Sequence, residues 1–177
     1  MVKPYGSKGS RGELRTSGET YLVARDNLRL NTKIRNDLLD VKVLVDDRDK
    51  LERWHLQMKA TMPASASDLA KVPELKRALD AASAPSPLDT ATLKSILARA
   101  GSPFAVLDIQ KSRNGFTFLG CMAEYAEVTW PGGGDSTVSI ETVDATALIN
   151  AARELGIYTR ENVCYPRRVL RAVTTKS

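Results

Sequence analysis

Histidine is almost absent from this chain. His55 is the only one, which rules out a histidine-rich metal centre and argues against a Ser-His-Asp triad. Cysteine is nearly as scarce. Cys121 and Cys164 lie far apart with no CxxC spacing, so neither a disulfide framework nor a zinc site follows, and both are expected as small buried residues. Any metal would have to be held by carboxylates, hence a hard ion such as Mg²⁺ or Mn²⁺. No apolar run approaches the roughly 18 residues that span a bilayer. The segment from Met1 to Arg11 has no hydrophobic stretch of the signal-peptide kind, so a cytoplasmic protein without a membrane partner is expected. Aromatics are few, and Trp54 and Trp130 are expected as packing residues rather than stacking platforms for bases. Gly132-Gly133-Gly134 is followed by no helix with Lys-Ser or Lys-Thr and reads as a turn, not a phosphate loop.

A chain of 177 residues suits one domain with a real core. The expected organisation is a flexible lead-in over 1–12, rich in Gly and Ser, and a single domain over 13–177. The net charge of +5 and pI near 9.3 favour an anionic partner. Part of the excess falls on Lys3, Lys8 and Arg11 at one end and on Arg167, Arg168, Arg171 and Lys176 at the other, as in solubilising tails.

Alternation of polar and apolar residues predicts strands over 20–25, 31–35 and 39–45, then a charged turn at 46–50 and a return strand over 51–62. Leu69, Val72, Leu75 and Leu79 have helical spacing, with Ser67 or Asp68 as possible caps. A second helix starts near Asp89 and carries Leu93, Ile96 and Leu97 towards Gly101. Strands resume over 104–111. Arg113-Asn114-Gly115 predicts a hairpin turn, followed by strands over 116–130 and 136–142. A last helix capped by Asp144 closes at Gly156. The fold class is α+β: two strand-rich halves joined by a helical connection, with a sheet that can close into a barrel, and a C-terminal helix.

The chemistry lies in cations spaced two apart. Lys33 and Arg35 share one face of their strand, as do Lys111 and Arg113; Lys42 and Lys59 lie in neighbouring strands. Acids occur in similar places, at Glu13, Glu124, Glu127 and Glu141. Glu124 and Glu127 are three apart, so only one of them can line a given interior. One reading is a solvated face of ordinary ion pairs. The other is a cavity whose cations hold phosphates and whose carboxylates hold a divalent metal.

The segments Tyr21-Leu22, Lys33-Ile34-Arg35, Asp40-Val41-Lys42, Lys111-Ser112-Arg113 and Ser139-Ile140-Glu141, with the later Leu155-Gly156 and Cys164-Tyr165, resemble the CYTH superfamily, the triphosphate tunnel metalloenzymes. The resemblance runs from about Glu13 to Leu170. It implies an antiparallel eight-stranded tunnel that binds a triphosphate compound or polyphosphate with Mg²⁺ or Mn²⁺. It further implies phosphate contacts from Lys33, Arg35, Lys42, Lys111 and Arg113, with Arg15 and Lys59 beside them. Glu141, Lys42 and Arg35 become the expected catalytic residues, and Glu141, Glu13, Glu124 and Glu127 the expected metal ligands. Arg11 stands where the family's first acid belongs, Arg15 replaces its Lys, and Ser139 replaces the first acid of the later ExE pair. The expected activity is metal-dependent hydrolysis of a triphosphate. A non-catalytic polyphosphate- or nucleotide-binding protein is the alternative, and a nucleic-acid-binding barrel is disfavoured because aromatics are few and no RNA-binding motif is present.

Overall fold

A computed structural model describes residues 11–174 and, within them, every side chain except those of Arg11, Glu13 and Val173. The strands are β1 (Arg11–Ala24), β2 (Leu30–Arg35), β3 (Leu38–Arg48), β4 (Leu51–Thr61), β5 (Phe104–Phe118), β6 (Cys121–Trp130) and β7 (Gly133–Glu141). The helices are α1 (Ala66–Leu69), α2 (Pro73–Ala81), α3 (Thr90–Leu97), α4 (Ala145–Glu154) and α5 (Tyr165–Thr174). The expected α+β class is what folds. Among the described residues seven strands form one antiparallel sheet in the order β4-β3-β2-β1-β5-β6-β7, with β4 and β7 as its edges, and strand pairing there does not strictly close it. β1 already contains Arg11 and Gly12, which the sequence reading placed in the lead-in; residues 1–10 lie outside the described residues.

Local turn chemistry fixes the hairpins. Asp49 and Lys50 both take positive φ (54° and 64°) and join β3 to β4 in a two-residue turn whose twist suits antiparallel strands. The expected turn at Asn114-Gly115 is not one. Both residues lie inside β5, opposite Tyr125 and Glu124, and the chain reverses at Leu119-Gly120, where φ is 48° and 77°. Gly132 takes φ 78° between β6 and β7, while Gly133 and Gly134 belong to β7 rather than to the turn.

The helical connection divides where Pro73 intervenes. Ser65 caps α1 by accepting from the Asp68 amide, and Pro73 opens α2 in its first turn, where a missing N–H costs nothing. Asp89 caps α3 and Asp144 caps α4 through their side-chain oxygens; the cap at Asp144 is the expected one, whereas α1 is capped by Ser65 and not by Ser67 or Asp68. α5 was not expected. Pro166 sits in its first turn and Val169 is buried, so Arg167, Arg168 and Arg171 are helix residues and not a charged tail. No helix among the described residues is long and apolar enough to cross a membrane.

The chain forms two compact units. In the unit of residues 18–109 and 163–174, Leu22, Ile34, Leu39 and Val41 cluster with Leu69, Leu75, Leu93 and Leu97 of the helical segment. Because strands alternate, burying this face sends Tyr21, Lys33, Arg35, Asp40 and Lys42 to the other. In the unit of residues 11–17 and 110–162, Phe118, Cys121 and Ala123 pack with Ala151, Phe116, Ile140, Ala147 and Leu155. That face excludes Lys111, Arg113 and Glu124, which take the opposite side.

α3 is tied to its unit by Asp108, which accepts from the Thr20 hydroxyl at 2.5 Å and from the Lys94 ammonium at 2.7 and 2.8 Å. Partial burial pushes the Asp108 carboxyl up, but the bonds from Lys94 and Thr20 outweigh it and hold the group below its ordinary value. A depressed carboxyl stabilises the fold above its unfolded pKa, about 3.9, and that contribution is lost as pH falls through the folded value. Asp108→Asn is expected to cost less than about 1 kcal/mol at neutral pH, since Asp108 is 60% exposed and solvent screens it. The difference from wild type should vanish on acidification; a gap in urea midpoints that persists below pH 3 to 4 would contradict this assignment.

Candidate functional site: a carboxylate-braced basic face

In the unit of residues 18–109 and 163–174, strand register assembles the basic face. Tyr21 lies opposite Lys33, Lys33 opposite Asp40, and Asn31 opposite Lys42; Asp40 in turn lies opposite Lys59. Partners in a ladder share a face. Lys33, Arg35, Lys42 and Lys59 therefore lie on one side of the sheet with Glu19, Asp40, Asn31 and Tyr21, and the cations outnumber the acids there.

Glu19 braces this face. Its side chain has no exposure and reaches Arg35 Nη1 at 3.3 Å and Lys33 Nζ at 4.0 Å. A buried carboxylate is unfavourable unless it is paired, and the Lys33-x-Arg35 spacing supplies two cations from one strand. The Tyr21 hydroxyl donates to Glu19 Oε2 at 3.4 Å. Burial first, and then the charge of Glu19, push the Tyr21 phenol well above its ordinary range, so it remains a donor. The ring of Tyr165 on α5 stacks on Tyr21 with centroids 5.2 Å apart, and α5 packs against β2. Lys42 is half-buried and Lys59 exposed.

The unit of residues 11–17 and 110–162 repeats the device. Lys111 Nζ meets Glu124 Oε1 at 2.6 Å, with only 8% of the lysine side chain exposed. Arg113 Nη1 lies 4.0 Å from the other Glu124 oxygen, and its Nη2 donates to Ser17 Oγ at 3.0 Å. Register also decides between the two acids three apart. Glu124 lies opposite Gly115, and Glu127 opposite Ser112, so Glu124 joins Lys111 and Arg113 while Glu127 takes the other face and accepts from the Tyr125 hydroxyl at 3.3 Å. Glu141 lies opposite Met122, two residues from Glu124, and is an exposed member of the Glu124 face. Arg15 is exposed on β1, two residues from Ser17. The Glu13 carboxylate lies outside the described residues.

Of the three residues expected to be catalytic, Arg35 and Lys42 belong to the first face and Glu141 to the second. Glu19, Tyr21 and Asn31 escaped the sequence reading of the site. Glu19 left one signal, an acid two residues before Tyr21 in a strand that then turns apolar.

Carboxylates alone would have to supply a metal site. Among the described residues no three His, Cys, Asp or Glu side chains are grouped to hold an ion, and Glu19 and Glu124 are already engaged by cations. Among the described side chains, this donor set does not fit a resident divalent metal. Cys121 and Cys164 are buried thiols, as expected, and Trp54 donates its indole N–H to Glu52 at 3.1 Å.

No family model matches the chain, and no curated protein does. Among the solved structures that match is a protein from Bacillus halodurans described as a candidate adenylate cyclase. It is 13% identical, with a TM-score of 0.49, and the match covers 89% of this chain and 82% of that one. The chemistry of the basic faces is therefore read from their own residues.

Proposed function

We propose that this chain binds a triphosphate-type polyanion on a carboxylate-braced basic face. The observation that carries the reading is the carboxylate-braced pair: Lys33 and Arg35 on Glu19, and Lys111 and Arg113 on Glu124. Each brace holds a planar guanidinium and a point-like ammonium on one face before any ligand arrives, which lowers the ordering cost of binding. Phosphate oxygens then take charge-assisted hydrogen bonds from donors already in place. The CYTH-like pattern of Lys33-Ile34-Arg35 and Lys111-Ser112-Arg113 supports the same ligand class.

Because the donor set does not fit a resident metal, binding is expected to survive a chelator. Tripolyphosphate should bind equally with Mg²⁺ and with excess EDTA, as followed by calorimetry. Lys33→Ala combined with Arg35→Ala should weaken it about 100-fold, at roughly 1.4 kcal/mol for each charged hydrogen bond lost. Unchanged affinity in that double variant would remove this face from the site.

Metal-dependent hydrolysis is the second reading, favoured by Glu141 sharing the face of Glu124, Lys111 and Arg113. Phosphate release from tripolyphosphate with Mg²⁺ or Mn²⁺, lost in Glu141→Gln, would establish it. Release that is the same in that variant would take Glu141 out of the chemistry.

A further inference from the structure

In the unit of residues 18–109 and 163–174, an open cleft of about 510 Å³ lies where the loop after α3 meets the residue after β1 and the start of β5. That volume is in the ordinary range for small-molecule sites. Arg25, Arg99 and Ser102 are its polar lining, and no carboxylate takes part. Its wall is apolar, made by Ala98, Ala100, Phe104, Ala105 and Val106.

The two cations are unlike most arginines of this unit. Arg29 meets Asp47, Arg35 meets Glu19, Arg48 meets Asp46, Arg77 meets Asp26 and Arg167 meets Glu52, whereas Arg25 and Arg99 have no acid within ion-pair distance among the described residues. Asp26, next to Arg25 in sequence, is already held by Arg77 at 3.4 Å. Arg99 follows Ala98, the C-terminal cap of α3, and a cation is favoured there by the helix dipole alone. Arg25 has no such explanation.

Arg25 is fixed at two points. Its amide donates to the Pro103 carbonyl at 2.8 Å and its Nε to the Phe104 carbonyl at 3.3 Å. With Nε engaged, the Nη1 and Nη2 edge remains, a planar fork that matches the two oxygens of a carboxylate. Both arginines are exposed, so a ligand can reach them. The Ser102 hydroxyl accepts from the Phe104 amide at 3.1 Å, which leaves its own proton to donate. Every polar side chain of the cleft thus offers a donor, and the wall beside them offers apolar surface.

We propose that this cleft binds a small organic carboxylate with an apolar body. Arg25 takes the carboxylate in its fork, Arg99 and Ser102 add a charge and a hydroxyl donor, and the hydrocarbon lies on the alanine wall. A bare inorganic anion would leave that wall unused. The cleft shares no residue with the Glu19 and Glu124 braces, so it is tested apart from the polyphosphate reading.

The probes are hexanoate, hexanol and inorganic phosphate, titrated into the full chain labelled with ¹⁵N while amide shifts are followed. Hexanoate should move the amides of residues 98–106 saturably. Hexanol has the chain without the charge and phosphate the charge without the chain, and each should bind about tenfold more weakly or less. Arg25→Gln should weaken hexanoate about tenfold, the effect of one charged hydrogen bond. Arg25→Lys should show most of that loss, since an ammonium keeps the charge and not the fork. Unmoved amides, equal affinity for hexanol, or unchanged affinity in Arg25→Gln would overturn the proposal. Phosphate bound as tightly as hexanoate would overturn the choice of a carboxylate. The ligand comparison is made on the wild-type chain, so a variant that folds poorly without the Nε bond does not remove the test.

Discussion

Gly12→Ala should destabilise the chain by more than about 3 kcal/mol, whereas Gly115→Ala should change it by no more than about 0.5 kcal/mol. The asymmetry follows from where a methyl group would go. A Cβ on Gly12 would lie 1.9 Å from the carbonyl oxygen of Gly115, with the Gly115 carbonyl carbon at 2.9 Å. Both obstacles are backbone, so no rotamer relieves them. Either the first part of β1 withdraws, taking with it the Ser17 hydroxyl that accepts from Arg113, or β5 bends at a strand it shares with Lys111. A Cβ on Gly115 meets nothing nearer than the Ala123 carbonyl oxygen at 4.0 Å, an ordinary contact, and alanine is a better strand former than glycine. Denaturation midpoints of the two variants, with amide exchange over residues 14–17, give the check. Equal and small effects would mean that β1 and β5 do not approach at these glycines.

The same pair of glycines explains which parts of the fold could be read from sequence. Elements governed by local chemistry were legible: the β3–β4 hairpin from its alternation and charged turn, α3 and α4 from Asp89 and Asp144 and their apolar spacing. Asn114-Gly115 has the local signature of a hairpin, yet Gly115 lies within β5, where its backbone meets Gly12, a residue 103 positions earlier in the chain. That constraint is tertiary and leaves no local trace. The turn falls instead on Leu119-Gly120, where a leucine accepts positive φ against its own preference. α5 was hidden for a different reason: Pro166 looks like a breaker unless it falls in a first turn, and three arginines look like a tail unless Val169 is known to be buried.

In the basic faces, alternation alone placed Lys33 with Arg35 and Lys111 with Arg113, because the strand period is a local property. Which acid meets them is a matter of register. Glu124 and Glu127 are equivalent on paper and separate only once Gly115 and Ser112 are known to lie opposite them. Glu19 is the harder case. A carboxylate with no exposed surface is a poor guess from any single strand, and it becomes sensible only when β2 brings two cations to it.

Glu19→Ala is expected to lower stability by about 2 kcal/mol without ligand, and added tripolyphosphate should restore most of the loss. Truncating one member of a buried ion pair costs about 3–5 kcal/mol, but Lys33 and Arg35 keep 22% and 35% exposure and can partly rehydrate, which reduces the figure. Tyr21 loses its acceptor in the same variant. The two cations then face each other across a vacated acidic position, and a phosphate group can occupy it. By linkage, an anion that binds only the folded form raises the midpoint by an amount set by its affinity, so the gain with tripolyphosphate should be larger in Glu19→Ala than in wild type. Glu19→Gln separates charge from packing: it keeps an oxygen for Tyr21, loses the charge, and should show the same enhanced response. Thermal midpoints with and without tripolyphosphate decide the matter. An equal gain in wild type and both variants would overturn this competition and leave Glu19 as a brace that shares Lys33 and Arg35 with the ligand.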